Sequence, residues 1–291
     1  MRDMHSPDAP ERDASRTALG VAAARAAHQL FDAGPRILED PIATRIFTPD
    51  GLERIRRAAH YYGQRPARAL RAHIALRSRY TEDRLQTAVA RGVRQYVMLG
   101  AGFDTFAWRQ PAWASALRIV EIDHAGTQSA KRHRFEGAGL EIPPNTTLAA
   151  VDFAHESLAD ALRRVGVSSD QPAFFAWLGV MMYLDEAAID ATLAAVAAFP
   201  AGSELVLTYL PPPERWPADA GAAASLAERV NRVGEPFVSY FEPGALESKL
   251  RAAGFVSVAF LGRDEAARLY FSGRPADLPV PRDTHIVAAV R

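Results

Sequence analysis

Three aspartates stand at or just past the ends of apolar runs: Asp104 in QYVMLGAGFDTFAW, Asp123 in LRIVEID and Asp152 in AAVDF. A carboxylate in such a place accepts hydrogen bonds from a ligand, balances a cationic ligand, or caps the helix that follows. The first run opens into Gly100, Ala101 and Gly102, and glycine there lets the backbone turn tightly and approach a ligand closely. Asp123 follows Gly100 at about the 20-residue distance at which an acidic side chain takes a ribose hydroxyl pair. Glu121 points to the same face two residues earlier and competes for that role, and a helix cap is the other use of Asp123. Asp152 suits an exocyclic adenine amine, with Phe153 packing near the ring, or a cap on the next helix.

Three such strand ends suggest an adenosine. They do not suggest a dinucleotide. Asp104 is expected to open a helix after the glycine turn, where it would oppose a pyrophosphate at the positive helix end. The third glycine of the dinucleotide fingerprint is missing, which also disfavours NAD, and a carboxylate at 123 would repel the 2′-phosphate of NADP. S-adenosylmethionine removes the conflict, since it has adenine and ribose, no phosphate, and both an ammonium and a sulfonium.

The elements that must hold these groups follow from the texture of the chain. Short apolar runs, QYVMLG, LRIVEID, TTLAAVDF, PAFFAWLGV and SELVLTYL, alternate with helical segments after Arg94. Runs of this length without strict alternation read as strands buried on both faces of a parallel sheet. VSVAFLG and HIVAAVR add two strands around a mobile-looking segment. In DEAAIDATLAAVAAF, Asp185 is a cap and Ile189, Leu193 and Val196 form an inward stripe. The fold class is α/β, a doubly wound, mostly parallel, seven-stranded sheet of Rossmann-like type.

Residues 1–94 read as a helical cover after a frayed terminus of about 14 residues, with Gly92 as a helix stop. Its arginines, among them Arg54, Arg56, Arg57, Arg65, Arg68, Arg71, Arg77, Arg79 and Arg84, read mainly as a solvated face. A Pro/Ala-rich insertion at about 211–240 reads as a lid on residues 95–291, the whole forming one domain.

Composition narrows the function. The 291 residues are 48% hydrophobic and 23% charged, with 34 basic and 34 acidic side chains, so no global field draws the chain to nucleic acid or anionic membrane. The absence of cysteine excludes disulfides and thiolate chemistry. Carboxylates and histidines do not cluster at metal-ligand spacing. The N-terminus lacks an apolar signal region and no run approaches a membrane span, so a cytoplasmic protein is expected. Oligomeric state is left open.

The set QYVMLGAGFDTFAWR, VEIDHAGTQSAKR, VDF and FFAWLGVMMYLDEAAIDATL, with upstream SRTALGVAAARA and LEDPIA, resembles the bacterial branch of the leucine carboxyl methyltransferase family from about Ser15 to Arg291. The resemblance implies a class I S-adenosylmethionine-dependent O-methyltransferase with a helical N-terminal cover. It implies a cofactor site at Gly100, Ala101, Gly102, Asp123, His124, Asp152, Phe153 and Leu178, with Arg79 or Arg77 on the cofactor carboxylate. Leu178 stands where eukaryotic members carry glutamate, so their protein substrate does not carry over.

A carboxylate acceptor is already ionised near neutral pH and needs no general base, whereas a phenol with pKa ~10 needs one. His28, His60, His73 and His124 form no known catalytic signature, and Tyr183, Tyr62 and His28 are the acceptor-pocket candidates. The expected activity is methyl transfer to a carboxylate of a small molecule or peptide. The alternatives are a hydroxyl O-methyltransferase for an aromatic natural product and a catalytically silent adenosine-binding regulator.

Overall fold

The computed structural model describes residues 15–152, 155–216, 227–228, 230–231 and 234–291. Seven strands form one sheet: β1 Gln95–Leu99, β2 Arg118–Asp123, β3 Thr146–Ala150, β4 Ala173–Trp177, β5 Glu204–Thr208, β6 Ser257–Phe260 and β7 Ile286–Val290. Their order is β3-β2-β1-β4-β5-β7-β6, parallel except for β7, which runs antiparallel to both neighbours. All five residues of β1, β4 and β5 are buried, because helices cover both faces. Side chains alternate between the two layers: Val97 and Leu99 join one core with Phe175 and Trp177, while Tyr96 and Met98 join the other with Phe174.

Strand order reverses between β1 and β4, and a ligand crevice opens beyond the carboxyl ends of strands at such a switch point. The cover comprises α1 Arg16–Phe31, α2 Ile42–Arg45, α3 Pro49–Arg57, α4 Ala59–Gly63 and α5 Arg65–Ala90. Ser15 caps α1 by accepting the Ala18 N–H at 3.1 Å, and α5 ends where Gly92 takes a positive φ of 102°. On the sheet side, α6 Ala125–Gly137, α7 Leu158–Arg164 and α8 Glu186–Ala197 complete the winding. Asp185 caps α8, accepting the Ala188 N–H at 2.8 Å, and Ile189, Leu193 and Val196 are buried as the stripe predicted.

Two sequence expectations change. No α-helix follows the glycine turn; the chain makes two short 3-10 turns, Phe106–Trp108 and Ala112–Ala114, before β2. The segment between β6 and β7 is structured: Arg263–Ala266 is helical and runs into a π-helical turn, Ala267–Phe271, which packs Tyr270 and Phe271 on the core. Of the insertion, residues 217–226, 229, 232 and 233 lie outside the described residues, as do 1–14. No helix among the described residues is long and apolar enough to cross a membrane.

Candidate cofactor and acceptor site

A cavity of about 410 Å³ lies between the cover and the carboxyl ends of β1, β2 and β4. Its floor is the turn Gly100–Asp104. The N–H groups of Gly100 and Ala101 both bond to the Ile122 carbonyl, at 2.9 and 3.0 Å, which folds the turn back onto β2. Gly100 has φ +71°, and a Cβ there would collide with Val180. Glycine is therefore required twice over, for conformation and for space. Gly102 donates its N–H to Asp123 Oδ2 at 2.6 Å.

Asp123 faces this floor. Burial raises its pKa, against the opposing pull of the Gly102 and His124 N–H groups. Its rival Glu121 is not on the wall: it is fully buried and ion-paired with Lys131, whose ammonium lies 5.2 Å from the Trp108 ring centre. His124 is exposed and caps α6 through the Gly126 N–H at 3.3 Å. Leu178, just past β4, lines the cavity.

The long helix α5 supplies the opposite wall. Leu70, His73, Ile74 and Arg77 recur at helical spacing and all line the cavity. The Arg77 guanidinium packs against Gly179 and, among the described residues, meets no carboxylate at ion-pair distance. Burial and the nearby Arg25 push its pKa down to about 10. A half-buried guanidinium of this kind has a planar fork of donors to offer an anion. Arg79 points elsewhere: it is 48% exposed and bonds Asp83 at 2.9 Å. Of the two arginines weighed from sequence, only Arg77 reaches the cavity.

Asp104 is the second revision. Its Oδ2 pairs with Arg25 of α1 at 2.6 Å and its Oδ1 takes the Phe106 N–H at 2.7 Å. Burial works against its ionisation, yet Arg25 and Arg109 hold its pKa well below the usual carboxylate range. Arg25 also pairs with the fully buried Asp40 at 2.8 Å. Arg25 thus offsets part of the acidity of the turn from the cover, while it shares its guanidinium with Asp40.

Two acceptor candidates fall away from the cavity. His28 is buried with Nδ1 2.8 Å from Asp32, while its Nε2 takes the Leu38 N–H at 3.4 Å, so both nitrogens are engaged. Asp32 in turn receives a bidentate bond from Arg71, at 2.7 and 3.0 Å. Tyr62 packs on Phe31 and Tyr61 beneath the Arg71 guanidinium. Tyr183 does line the cavity, its ring tilted by 49° against Phe237 with ring centres 5.3 Å apart. Asp152 lies two residues beyond β3, 59% exposed and 2.9 Å from His155, and is not on the wall. Phe153 lies outside the described residues.

Sequence reasoning missed several wall residues. His73 shares the stripe with Arg77, a signal that was present in the helical spacing. Thr17, Arg25, Val230 and Phe237 come from distant parts of the chain, and nothing in their local sequence marks them.

A glycine turn at the switch point, an acidic end on β2 and a helical cover over the crevice frame a nucleoside-binding α/β site, and the relatives of this chain assign it to the S-adenosylmethionine-dependent methyltransferases. The leucine carboxyl methyltransferase family matches residues 18–197, and the chain belongs to that family. It is 28% identical to YktD of Bacillus subtilis, named as a candidate S-adenosyl-L-methionine-dependent methyltransferase, over 97% of this chain and 99% of that one. A Mycobacterium marinum protein named in the same terms is 31% identical over 76% of this chain and 72% of its own length. The fold is similar to the crystal structure of a candidate methyltransferase from Thermobifida fusca, with TM-score 0.55 and 19% identity over 89% of this chain and 94% of that one.

Proposed function

We propose that this methyltransferase acts on a carboxylate oxygen. The observation that carries the reading is the character of the two titratable rings beside Arg77, His73 and Tyr183. Both are poor bases: burial, Arg77 and His285 push the His73 imidazole down to about 3, and burial raises the Tyr183 phenol. A hydroxyl acceptor with pKa ~10 would need a proton acceptor that these residues do not supply near neutral pH. A carboxylate needs none.

In this reading Arg77 holds the methionyl carboxylate of the cofactor with its planar fork, and Asp123 accepts from the ribose hydroxyls. The turn Gly100–Gly102 allows close backbone approach, and Leu178 packs beside the adenosine. Bound there, the cofactor supplies an electrophilic methyl group on a positively charged sulfur. The chain contributes alignment and dryness: α1, α5 and the residues around Phe237 close the crevice against water.

The test uses cofactor labelled in the methyl group and a panel of acids and phenols. A methyl ester is cleaved by mild alkali and releases volatile labelled methanol, whereas a methyl ether is stable. Base-labile label is expected. Base-stable label in a phenol would replace the carboxyl reading with the hydroxyl one.

A further inference from the structure

One wall of the cavity carries a hydrogen-bond chain that joins three distant segments. From Gly179, against which Arg77 packs, the backbone passes through the 3-10 turn Met181–Tyr183, closed by the Tyr183 N–H on the Val180 carbonyl at 2.9 Å. That turn brings the Tyr183 ring to the cavity wall, within electrostatic reach of the Arg77 guanidinium. The Tyr183 hydroxyl bonds to the Thr17 hydroxyl on α1, and Thr17 donates to Glu235 of the insertion. Glu235 also accepts from Ser15 Oγ at 3.1 Å and from the Arg16 N–H at 3.0 Å.

Proton counting fixes the direction of this chain. A carboxylate only accepts, a backbone N–H only donates, and each hydroxyl has one proton to give. Thr17 directs its proton to Glu235, so its oxygen can only accept from Tyr183, and the Tyr183 proton points at Thr17. The 3.0 Å contact between Ser15 Oγ and Thr17 Oγ1 does not alter this, because Ser15 donates to the same carboxylate oxygen. The phenol oxygen is left with lone pairs and no proton for the cavity. Tyr183 is held as an acceptor. His73, also on the wall, donates a ring N–H to the Thr284 backbone carbonyl and stays neutral at neutral pH, so its second nitrogen is an acceptor too. A guanidinium beside two acceptors matches a group that carries an anion and a donor on one carbon, as the α-carbon of an amino acid does.

We propose that Tyr183 receives the α-ammonium of the cofactor's methionyl end, and that Glu235, acting through Thr17, is the positioning residue that keeps Tyr183 an acceptor. This rests on the placement of the methionyl carboxylate at Arg77 given above, and adds the other half of the zwitterion. Carboxylate and ammonium share one carbon, so the group that takes one lies beside the group that takes the other. Thr17 belongs to the cover and Glu235 to the insertion, so the direction of the chain is set only while these two segments are docked. Docking of the insertion and cofactor affinity are therefore linked, each strengthening the other.

The experiment is calorimetry with S-adenosylhomocysteine and two of its analogues, one lacking only the α-amino group and one lacking only the carboxylate. Tyr183→Phe should weaken S-adenosylhomocysteine about tenfold and leave the deaminated analogue within about twofold. Glu235→Gln keeps the size of the side chain and reverses the chain. The Arg16 N–H holds the amide oxygen, the amide nitrogen donates to Thr17, Thr17 turns its proton to Tyr183, and the phenol proton turns into the cavity. This variant should weaken S-adenosylhomocysteine about threefold or more and spare the deaminated analogue, a split that a merely structural role would not produce. Equal losses on both ligands, or none on either, overturn the proposal. Arg77→Ala tests its foundation, and should weaken S-adenosylhomocysteine while sparing the decarboxylated analogue. If Arg77→Ala discriminates and the other two variants do not, the ammonium assignment falls alone. If Arg77→Ala also fails to discriminate, the placement of the methionyl carboxylate falls and takes the proposal with it.

Discussion

Asp123 grips the turn that ends β1: its Oδ2 accepts the Gly102 N–H at 2.6 Å while its Oδ1 accepts the His124 N–H at 2.7 Å. One side chain thereby couples the ends of two neighbouring strands, and with a further bond from Thr127 the carboxylate still keeps accepting capacity for a ligand. Asp123→Ala should lower S-adenosylhomocysteine affinity about 10- to 100-fold, the loss of a charge-assisted bond worth ~1.5–3 kcal/mol. Calorimetry checks this, with the thermal melt as a control for folding. Unchanged affinity would take Asp123 out of the cofactor site.

Arg77 and Arg79 separate cleanly by experiment. Arg77→Lys keeps the charge and loses the planar fork, so cofactor affinity should fall about tenfold, or ~1.4 kcal/mol. Arg79→Ala removes only an exposed pair with Asp83 and should leave affinity within about twofold. A larger effect at 79 than at 77 would reverse the assignment.

His73 predicts a pH dependence of stability. Burial, Arg77 and His285 depress its pKa from 6.5 to about 3, so the fold resists its protonation. The stabilising contribution is full above 6.5 and is lost as pH falls through that window toward 3. His73→Phe should flatten the acid limb of chemical denaturation midpoints between about pH 7 and pH 4. An acid slope equal to that of the parent protein would show that other groups carry it.

Glu235 ties the insertion to the cover. It accepts from Ser15 Oγ at 3.1 Å, from the Arg16 N–H at 3.0 Å and from the Thr17 hydroxyl. The Tyr183 hydroxyl bonds to Thr17 in turn, and Val238 donates its N–H to the Met182 carbonyl at 2.8 Å. Glu235→Ala should cost about 1 kcal/mol of capping, or roughly fivefold in local opening. Hydrogen exchange should quicken together at residues 234–241 and in the first turn of α1, with β1 and β4 unchanged. Faster exchange in only one of the two segments would show that Glu235 does not join them.

The strands were legible because both faces are buried: QYVML, AFFAW and ELVLT leave little choice of environment. Parallel strands joined by helices imply a crevice at their carboxyl ends, so the glycine turn and the acidic end of β2 could be placed from local sequence, while the choice of Asp123 over Glu121 needed the fold. The choice between Arg77 and Arg79 could not. Two residues apart on a helix point ~200° apart, and which one meets the cavity depends on how α5 rolls against the sheet. The same limit applied to charge: Asp104 looked like an isolated anion until folding brought Arg25 to it from 79 positions away. Likewise, Glu235 reaches Thr17 across 218 positions to link the insertion with the cover. Local pattern determined which residues became strands and helices, and where the strands end. Only tertiary packing decided which side chains face the cavity and which charges are already paired, because those depend on contacts that no sequence window contains.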